Sequence, residues 1–434
     1  MKLAGARVLV VGMEASGKAV VKFLVGQGAA VTASDIKALA ADELGVPFVL
    51  QSDEAFDRDW DLIVASPGVP FDLPGLVRAR ARGVKVIGEV ELAAPYLKGK
   101  VIGITGSNGK TTTTSLIAHI LRESGVPVLL GGNIGVPVTD MIAESRADQW
   151  NVLELSSFQL ETIETFRTHI AVGLNLTQNH LDRHYTMESY WEAKSRMFRL
   201  QAAEDWAVLN AGNEYCRRWA QVTPAHLVWF NDSREWREDG GRIRCGGETL
   251  MKVEELPIRG RHNAENVMAA AAASHLAGLS LEKIAAAVRT FKAVEHRLEF
   301  VRKVSGVDFY NDSKATSVDA TLKALDSFPG GLWVILGGKD KGSDYRPLRE
   351  PLQEKARGVM LIGAAAELIA SHLENVVPVT MAGTLDLAVR EAYAQARPGD
   401  TVLLAPACAS FDQFSSYGHR GRVFKEEVAG LAEK

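Results

Sequence analysis

At 434 residues, 47% apolar and 24% charged, the chain is too long for one ordinary core and reads as a globular protein of two to four domains. A net charge of −4 carries no general nucleic-acid signal, so any polyanionic ligand must be held by local positive groups. Cys216, Cys245 and Cys408 are few, odd in number and far apart, which excludes a disulfide framework or a cysteine metal site.

The opening MKLAGARVLVVG reads as a strand rather than a leader, and no apolar run reaches spanning length. The expectation is a cytoplasmic enzyme without membrane insertion. ARVLVVG (6–12) is the first strand, followed by a helix through GKAVVKFLVGQG and a second strand, AAVTASD, ending at Asp35. DLIVASPGVP and VKVIGE continue the rhythm to Lys98-Gly99-Lys100. Strands alternating with helices predict parallel sheets covered by helices. The first turn keeps Gly12 and Gly17 but has Glu14 where a dinucleotide fingerprint has its middle glycine, and Asp35 stands where a ribose-binding acid sits. An NAD-linked oxidoreductase therefore fits less well than a site for another nucleotide.

A second unit opens with VIGITGSNGKTTTTSLIAHIL (101–121), a strand, a glycine-rich turn and a helix. Converging backbone N–H groups, a lysine and a hydroxyl make such a turn a phosphate cradle. Gly109-Lys110-Thr111 matches the end of G-x-x-x-x-G-K-[ST], but the first glycine position is Ile104, flanked by Gly103 and Gly106. That spacing argues against a routine motor or GTPase. Lys110 is suited to phosphate oxygens and Thr111 to Mg²⁺, the bland alternative being a turn with an incidental lysine.

Strand-like PVLLGGNIG (127–135), WNVLELSS (150–157) and HIAVGLNLTQNHLD (169–182) follow, then a helix around 188–200, an irregular stretch 203–257, and the helical HNAENVMAAAAASHLAG (262–278). Glu154, at a strand end, could hold Mg²⁺, activate a nucleophile, or merely cap a helix or pair with a cation. His180 and His184 have an H-x₃-H spacing that invites zinc, but no HExxH acid or nearby cysteine accompanies them. A magnesium-linked or substrate-facing His180 and a surface His184 are expected. Lys194 shares a helical face with Tyr190, Trp191, Met197 and Phe198. It could snorkel, or be desolvated into a neutral amine able to take up CO₂ as a carbamate.

The third unit begins after His296-Arg297, with DFYNDSKA, LWVILGGKDKG, GVMLIG, VPVTMAG and TVLLAPACAS as strand-and-turn segments. Asp312 could accept ribose hydroxyls while Arg297 and Lys314 meet phosphate charge, although Asn-Asp-Ser is also plain turn chemistry. Lys341 and Ser410 could bind a carboxylate, and Cys408 reads as packing. The fold class is α/β in three domains: a Rossmann-like N-terminal domain, a central P-loop-type ATPase domain and a Rossmann-like C-terminal domain.

TGSNGKTT, LELSSFQLE, NLTQNHLDRH, GRHNAEN, HRLEF, NDSKAT, LGGKDKG and APACASFDQF together resemble the Mur ligases, ATP-dependent amide-bond-forming enzymes of peptidoglycan precursor synthesis. The resemblance spans essentially the whole chain. It implies domains at 1–98 for a UDP-substrate, 99–295 for ATP and 296–434 for closure on ATP and binding of the amino acid. The implied substrates are UDP-N-acetylmuramoyl-L-alanine and D-glutamate, with ATP and two Mg²⁺ ions, and a monomer is expected. Gly106, Asn108, Gly109, Lys110, Thr111, Thr112, Asn263, Asn266, Arg297 and Asp312 match nucleotide positions. Thr111, Glu154, His180 and a carbamylated Lys194 match metal positions. Lys110, Glu154, His180 and Lys194 are the implied catalytic set. Ser16, Asp35, Gly68, Asn133, His180, Thr316, Lys341, Ser410 and Tyr417 match substrate positions. Gln178-Asn179, Ile36-Lys37 and Tyr417 depart from the family pattern.

Overall fold

The computed structural model describes residues 2–39, 45–258, 260–292, 294–340 and 342–433, leaving out also the side chain of Arg261. Among them lie three β-sheets, and the chain divides into two compact units. The first holds residues 1–255 and 265–289, the second residues 256–264 and 290–434. No helix among the described residues is long and apolar enough to cross a membrane.

The first unit contains two sheets. One has five parallel strands in the order β3-β2-β1-β4-β5: β1 (Arg7–Val11), β2 (Ala30–Asp35), β3 (Phe48–Leu50), β4 (Leu62–Ala65) and β5 (Lys85–Gly88). Val8, Val10, Leu62 and Val64 pack under the helix Ala15–Gly26, while Leu9, Val11, Ile63 and Ala65 face the other side. This two-sided burial explains why the strands read as continuous apolar runs.

The larger sheet runs β14-β13-β12-β11-β10-β9-β6-β8-β7. Its parallel part comprises β6 (Lys100–Thr105), β7 (Val128–Gly132), β8 (Trp150–Glu154), β9 (Ile170–Gly173), β10 (Trp206–Asn210) and β11 (His226–Phe230). β12 (Trp236–Asp239), β13 (Arg242–Cys245) and β14 (Glu248–Lys252) extend it as an antiparallel meander. The stretch 203–257, read from sequence as irregular, therefore carries five strands. Its Gly240-Gly241 and Gly246-Gly247 pairs are tight hairpin turns, and its exposed arginines hide the alternation of a sheet edge.

Two glutamates join these sheets. Glu91 accepts the backbone N–H groups of Glu164, Thr165 and Phe166 at 2.8, 3.0 and 3.1 Å. Glu89, 1% exposed, accepts the N–H of Thr139 at 2.6 Å and its hydroxyl at 3.0 Å. Burial pushes its carboxyl up to about 7.

In the second unit the order is β15-β16-β20-β17-β18-β19. β16 (Val307–Asn311), β17 (Leu332–Gly337), β18 (Ala356–Ile362), β19 (Val379–Gly383) and β20 (Thr401–Leu404) are parallel, and β15 (Glu299–Val304) pairs antiparallel with β16. The expected all-parallel sheet is thus bordered by an antiparallel strand, made possible by the Ser305-Gly306 turn.

Candidate active site

β6 delivers the chain into the glycine-rich turn, where Gly106 (φ 152°) and Gly109 (φ 84°) have backbone conformations that side chains disfavour. A Cβ on Gly109 would also collide with Oδ1 of Asn266, which accepts the Thr113 hydroxyl at 3.3 Å. Asn175 braces the turn from the end of β9. Its carbonyl accepts the N–H of Ser107 at 2.9 Å, and its side-chain oxygen accepts that of Asn108 at 2.9 Å. Lys110 curls back, donating to the carbonyls of Gly106 and Ser107, both at 2.9 Å. Thr111 and Thr112 are buried at the start of the helix Lys110–Glu123, and Thr114 donates to Lys110 O at 2.8 Å.

Lys194 settles between the two readings of its helix. It is 1% exposed, and Nζ donates to Thr105 Oγ1 and Gly106 O, both at 3.1 Å. It lies 5.0 Å from the Tyr190 ring centre. Burial, and then the charge of Lys110, hold its pKa well below that of an ordinary lysine, opposed by Glu154. The side chain does not snorkel; it ends at the phosphate loop as a desolvated amine. Tyr190, Trp191, Met197 and Phe198 are buried as their spacing requires.

Glu154, 2% exposed at the end of β8, neither caps the following helix nor forms an ion pair among the described residues. Ser156 supplies the cap. Oε1 accepts from Asn133 Nδ2 at 2.8 Å, while Oε2 is buried without a hydrogen-bond partner among the described residues. A buried carboxylate oxygen left open in this way suits a cation. No group of three His, Cys, Asp or Glu side chains is set for a metal among the described residues. A hard cation held here by Glu154 would draw its remaining ligands from isolated groups such as hydroxyls, a single histidine, a modified lysine or the nucleotide's own oxygens.

His180 is exposed, with φ 54°, and opens the short helix Leu181–His184. Its N–H donates to Asn179 Oδ1 at 2.9 Å, which gives the unusual Gln178-Asn179 pair a local turn role. The ring lies edge-on to Phe158 at 5.0 Å. His184 is not the surface residue its polarity suggested. It is buried, its Nε2 is 2.9 Å from Ser157 Oγ, and its ring stacks on Tyr190 at 5.2 Å. Burial, then the positive charge of Lys194, bring its pKa down to about 4, so the imidazole is neutral at pH 7.

A cavity of about 660 Å³ runs along the C-terminal ends of β1, β2 and β4 to the β7 turn. Ser16, Asp35, Gly68 and Asn133 all line it, as do Ile36 and Lys37. Asp35 accepts the N–H of Met13 at 2.7 Å and of Lys37 at 3.0 Å. Ser66 donates to Gly12 O at 2.7 Å, and Gly17 packs so closely on Gly12 O that a Cβ could not enter. Ile36, 71% exposed, presents an apolar face there.

In the second unit the ends of β16, β20 and β17 bring NDSKAT, PACAS and LGGK together. Arg420, which sequence reasoning missed, is 0% exposed and ties them. It donates to Ser313 Oγ at 3.0 Å, Ser313 O at 2.8 Å and Cys408 O at 3.2 Å. Burial lowers its pKa to about 10. Its only sequence signal was an arginine on the inner face of the helix Tyr417–Ala429. Asp312 is buried and its carboxyl is pushed up to about 6 by desolvation, opposed by Arg297. Lys314 Nζ lies 5.4 Å from the Tyr417 ring centre. Thr316 donates its N–H to Lys314 O at 2.9 Å, and Ser410 is 2% exposed. Asn263, 7% exposed, donates its N–H to Gly260 O at 2.9 Å. Cys408 is buried against the Tyr345 hydroxyl at 3.0 Å, as packing requires. Lys341 lies outside the described residues.

Residues 6–88 match the Mur ligase MurD-like N-terminal domain, 104–274 the Mur ligase middle domain, and 296–408 the Mur ligase glutamate ligase domain. A Solibacter usitatus protein called UDP-N-acetylmuramoylalanine–D-glutamate ligase is 63% identical, covering 100% of both chains. The chain belongs to the Mur ligase family. A Mur ligase of the same name from Acidobacterium capsulatum is 51% identical, over 99% of this chain and 97% of its own. Among solved structures, the Mur ligase MurC of Thermotoga maritima superposes with a TM-score of 0.64 at 18% identity, covering 98% of this chain and 99% of that one. MurF of Acinetobacter baumannii gives 0.62 at 18%, covering 98% and 91%. At that identity the likeness is one of Mur ligase fold alone.

Proposed function

We propose that this Mur ligase adds D-glutamate to UDP-N-acetylmuramoyl-L-alanine, converting ATP to ADP and phosphate, in cytoplasmic peptidoglycan precursor synthesis, and that it acts as a monomer. The observation that carries this reading is the 63% identity over the whole of both chains with a relative of that name. The N-terminal cavity takes the UDP-muramoyl substrate, with Asp35 and the Gly12–Gly17 turn at the nucleotide end and Asn133 toward the reacting carboxylate.

A carboxylate is inert to an amine until one oxygen becomes part of a leaving group. The L-alanyl carboxylate attacks the γ-phosphorus, ADP departs, and an acyl phosphate results. The amine of D-glutamate then attacks the acyl carbon, loses a proton, and phosphate leaves with the bonding pair. Gly106, Asn108, Gly109 and Thr112 cradle the phosphates and Lys110 neutralises them; Asn266 braces the turn. Asn263, Arg297 and Asp312 hold the nucleoside side of ATP. Thr316, Lys341, Ser410 and Tyr417 orient D-glutamate.

Two Mg²⁺ ions, held by Thr111, Glu154, His180 and the carbamate of Lys194, would supply charge neutralisation along the phosphates. The open Oε2 of Glu154 and the desolvated amine of Lys194 support this placement. For the carbamate, the amine nitrogen bonds to the carbon of CO₂ and releases a proton, leaving an anionic ligand.

Phosphate release with ATP, Mg²⁺ and UDP-N-acetylmuramoyl-L-alanine, run against a panel of amino acids, tests the reading. Dependence on D-glutamate is expected. Dependence on L-alanine or a diamino acid instead would reassign the substrate within the family.

A further inference from the structure

The segment from His180 to Tyr185 has, at each end, a backbone conformation that side chains disfavour. His180 has φ 54° and Tyr185 φ 64°, and neither is a glycine. Between them lies only the four-residue helix Leu181–His184, in which the N–H of His184 meets His180 O at 2.9 Å. A single turn cannot hold itself, and left-handed residues with side chains persist only where their surroundings fix them. What fixes this segment comes from distant parts of the chain.

Arg183 is the principal tie. Its Nη2 donates to Val69 O at 2.8 Å and to the Glu161 carboxylate. Its side chain is only 12% exposed. The guanidinium carbon lies 5.0 Å from the Phe158 ring centre, and the same ring meets His180 edge-on at 5.0 Å. Phe158 is therefore a wedge between Arg183 and His180. Tyr185 adds a second tie, donating its hydroxyl to Asp72 Oδ2 at 2.8 Å. Both ties end on residues 69–72. Val69 closes a turn on Ser66 O at 2.9 Å, and Ser66, Gly68, Val69 and Phe158 all line the 660 Å³ cavity.

We propose that Arg183 is a positioning residue, which holds His180 in register with the wall of the N-terminal cavity. The substrate bound there and the cation at His180 are then placed by one side chain. The inference rests on the reading of His180 as a Mg²⁺ ligand and of the cavity as the muramoyl-substrate site. A planar guanidinium suits the task because it serves a carbonyl, a carboxylate and a ring face together. Groups that orient a metal ligand typically change metal affinity or activity about 10–100-fold when removed.

Two measurements test this. Arg183→Met keeps the apolar stem against Phe158 and removes every donor. In the phosphate-release assay at saturating ATP, it should raise the half-saturating free Mg²⁺ about tenfold or more and leave the KM for D-glutamate unchanged. Arg183→Lys should recover part of the loss. In the second measurement, hydrogen exchange is followed on the full chain without ATP or Mg²⁺. UDP-N-acetylmuramoyl-L-alanine should slow the amides of residues 181–186 in the parent and not in Arg183→Met. If Arg183→Met does not fold, Tyr185→Phe, at an exposed ring, should show a smaller rise in half-saturating Mg²⁺, and no rise overturns the proposal. An unchanged Mg²⁺ dependence in Arg183→Met overturns it, as does an equal rise in the KM for D-glutamate, or slowed exchange that survives the substitution. Phosphate release that follows another amino acid would overturn the D-glutamate reading alone. The Mg²⁺ comparison is then made with that amino acid, and the exchange result stands without either.

Discussion

Asn133 and Glu154 are hydrogen-bonded twice across the ends of β7 and β8. The Asn133 N–H meets Glu154 O at 2.8 Å, and its side-chain amide meets Glu154 Oε1 at 2.8 Å. A residue lining the N-terminal cavity thereby orients the carboxylate beside the phosphate loop. Asn133→Leu removes the donor and leaves a buried carboxylate oxygen unmet, worth about 1.5–3 kcal/mol. Steady-state phosphate release should show kcat/KM falling by about tenfold to a hundredfold. Asn133→Asp, which sets carboxylate against carboxylate, should fall further. Equal loss in both variants would mean that the missing donor, and not the added negative charge, accounts for the effect.

Lys194 has a lowered pKa through burial and through Lys110, so its stability effect has a definite sign. Above its ordinary value of 10.5 both folded and unfolded chains hold a neutral amine and no penalty arises. As pH falls below that value the unfolded chain gains a proton that the folded chain resists, and the penalty grows. In CO₂-free buffer at pH 7, Lys194→Met should therefore stabilise the protein by about 1–3 kcal/mol, while the ligase activity is lost. Denaturant melts at pH 7 and pH 10 check this, the gain being smaller at pH 10.

Asp312 has the opposite linkage. Desolvation raises its carboxyl from 3.8 to about 6, so the folded chain keeps a proton that the unfolded chain has lost. The associated stability is present below pH 4 and gone above about pH 6. Asp312→Asn should match the parent near pH 4 and be more stable at pH 8 by roughly 2–3 kcal/mol. The same variant should raise the KM for ATP at pH 8, where the parent supplies an ionised acceptor. An unchanged KM would remove Asp312 from the nucleotide site.

Gly109→Ala tests the turn itself. The αL conformation costs an alanine about 1 kcal/mol, and its Cβ would displace Asn266 from Thr113. The expected result is a lower melting temperature together with at least a tenfold rise in the KM for ATP. A rise confined to the other substrates would show that this turn does not hold the nucleotide.

Much of this was legible because local signals and tertiary demands agree. The glycines at 106 and 109 stand where the backbone needs them, and the apolar stripe around Lys194 already required that face to be buried. What escaped depends on partners distant in sequence. His184 is buried because Ser157 and Tyr190 receive it, and Arg420 because three strand ends offer it carbonyls. Glu91 is an exposed-looking acid until the N–H groups of residues 164–166 converge on it. The meander β12–β14 was hidden by its position at a sheet edge, where polar residues face water and the apolar period weakens.

Arg420 binds its three loops through backbone oxygens and the Ser313 hydroxyl rather than through a carboxylate, so its acceptors carry no charge to be titrated away. Ser313, Cys408 and Gly337, whose carbonyl accepts from Arg420 Nη1 at 3.5 Å, are held as one piece while the guanidinium keeps its proton, below about pH 10. The entropy of ordering these loops was surrendered during folding, not at the encounter with a substrate. A small, strongly hydrated amino acid offers little surface with which to organise a receptor. The proposed D-glutamate site is a mould that has already set.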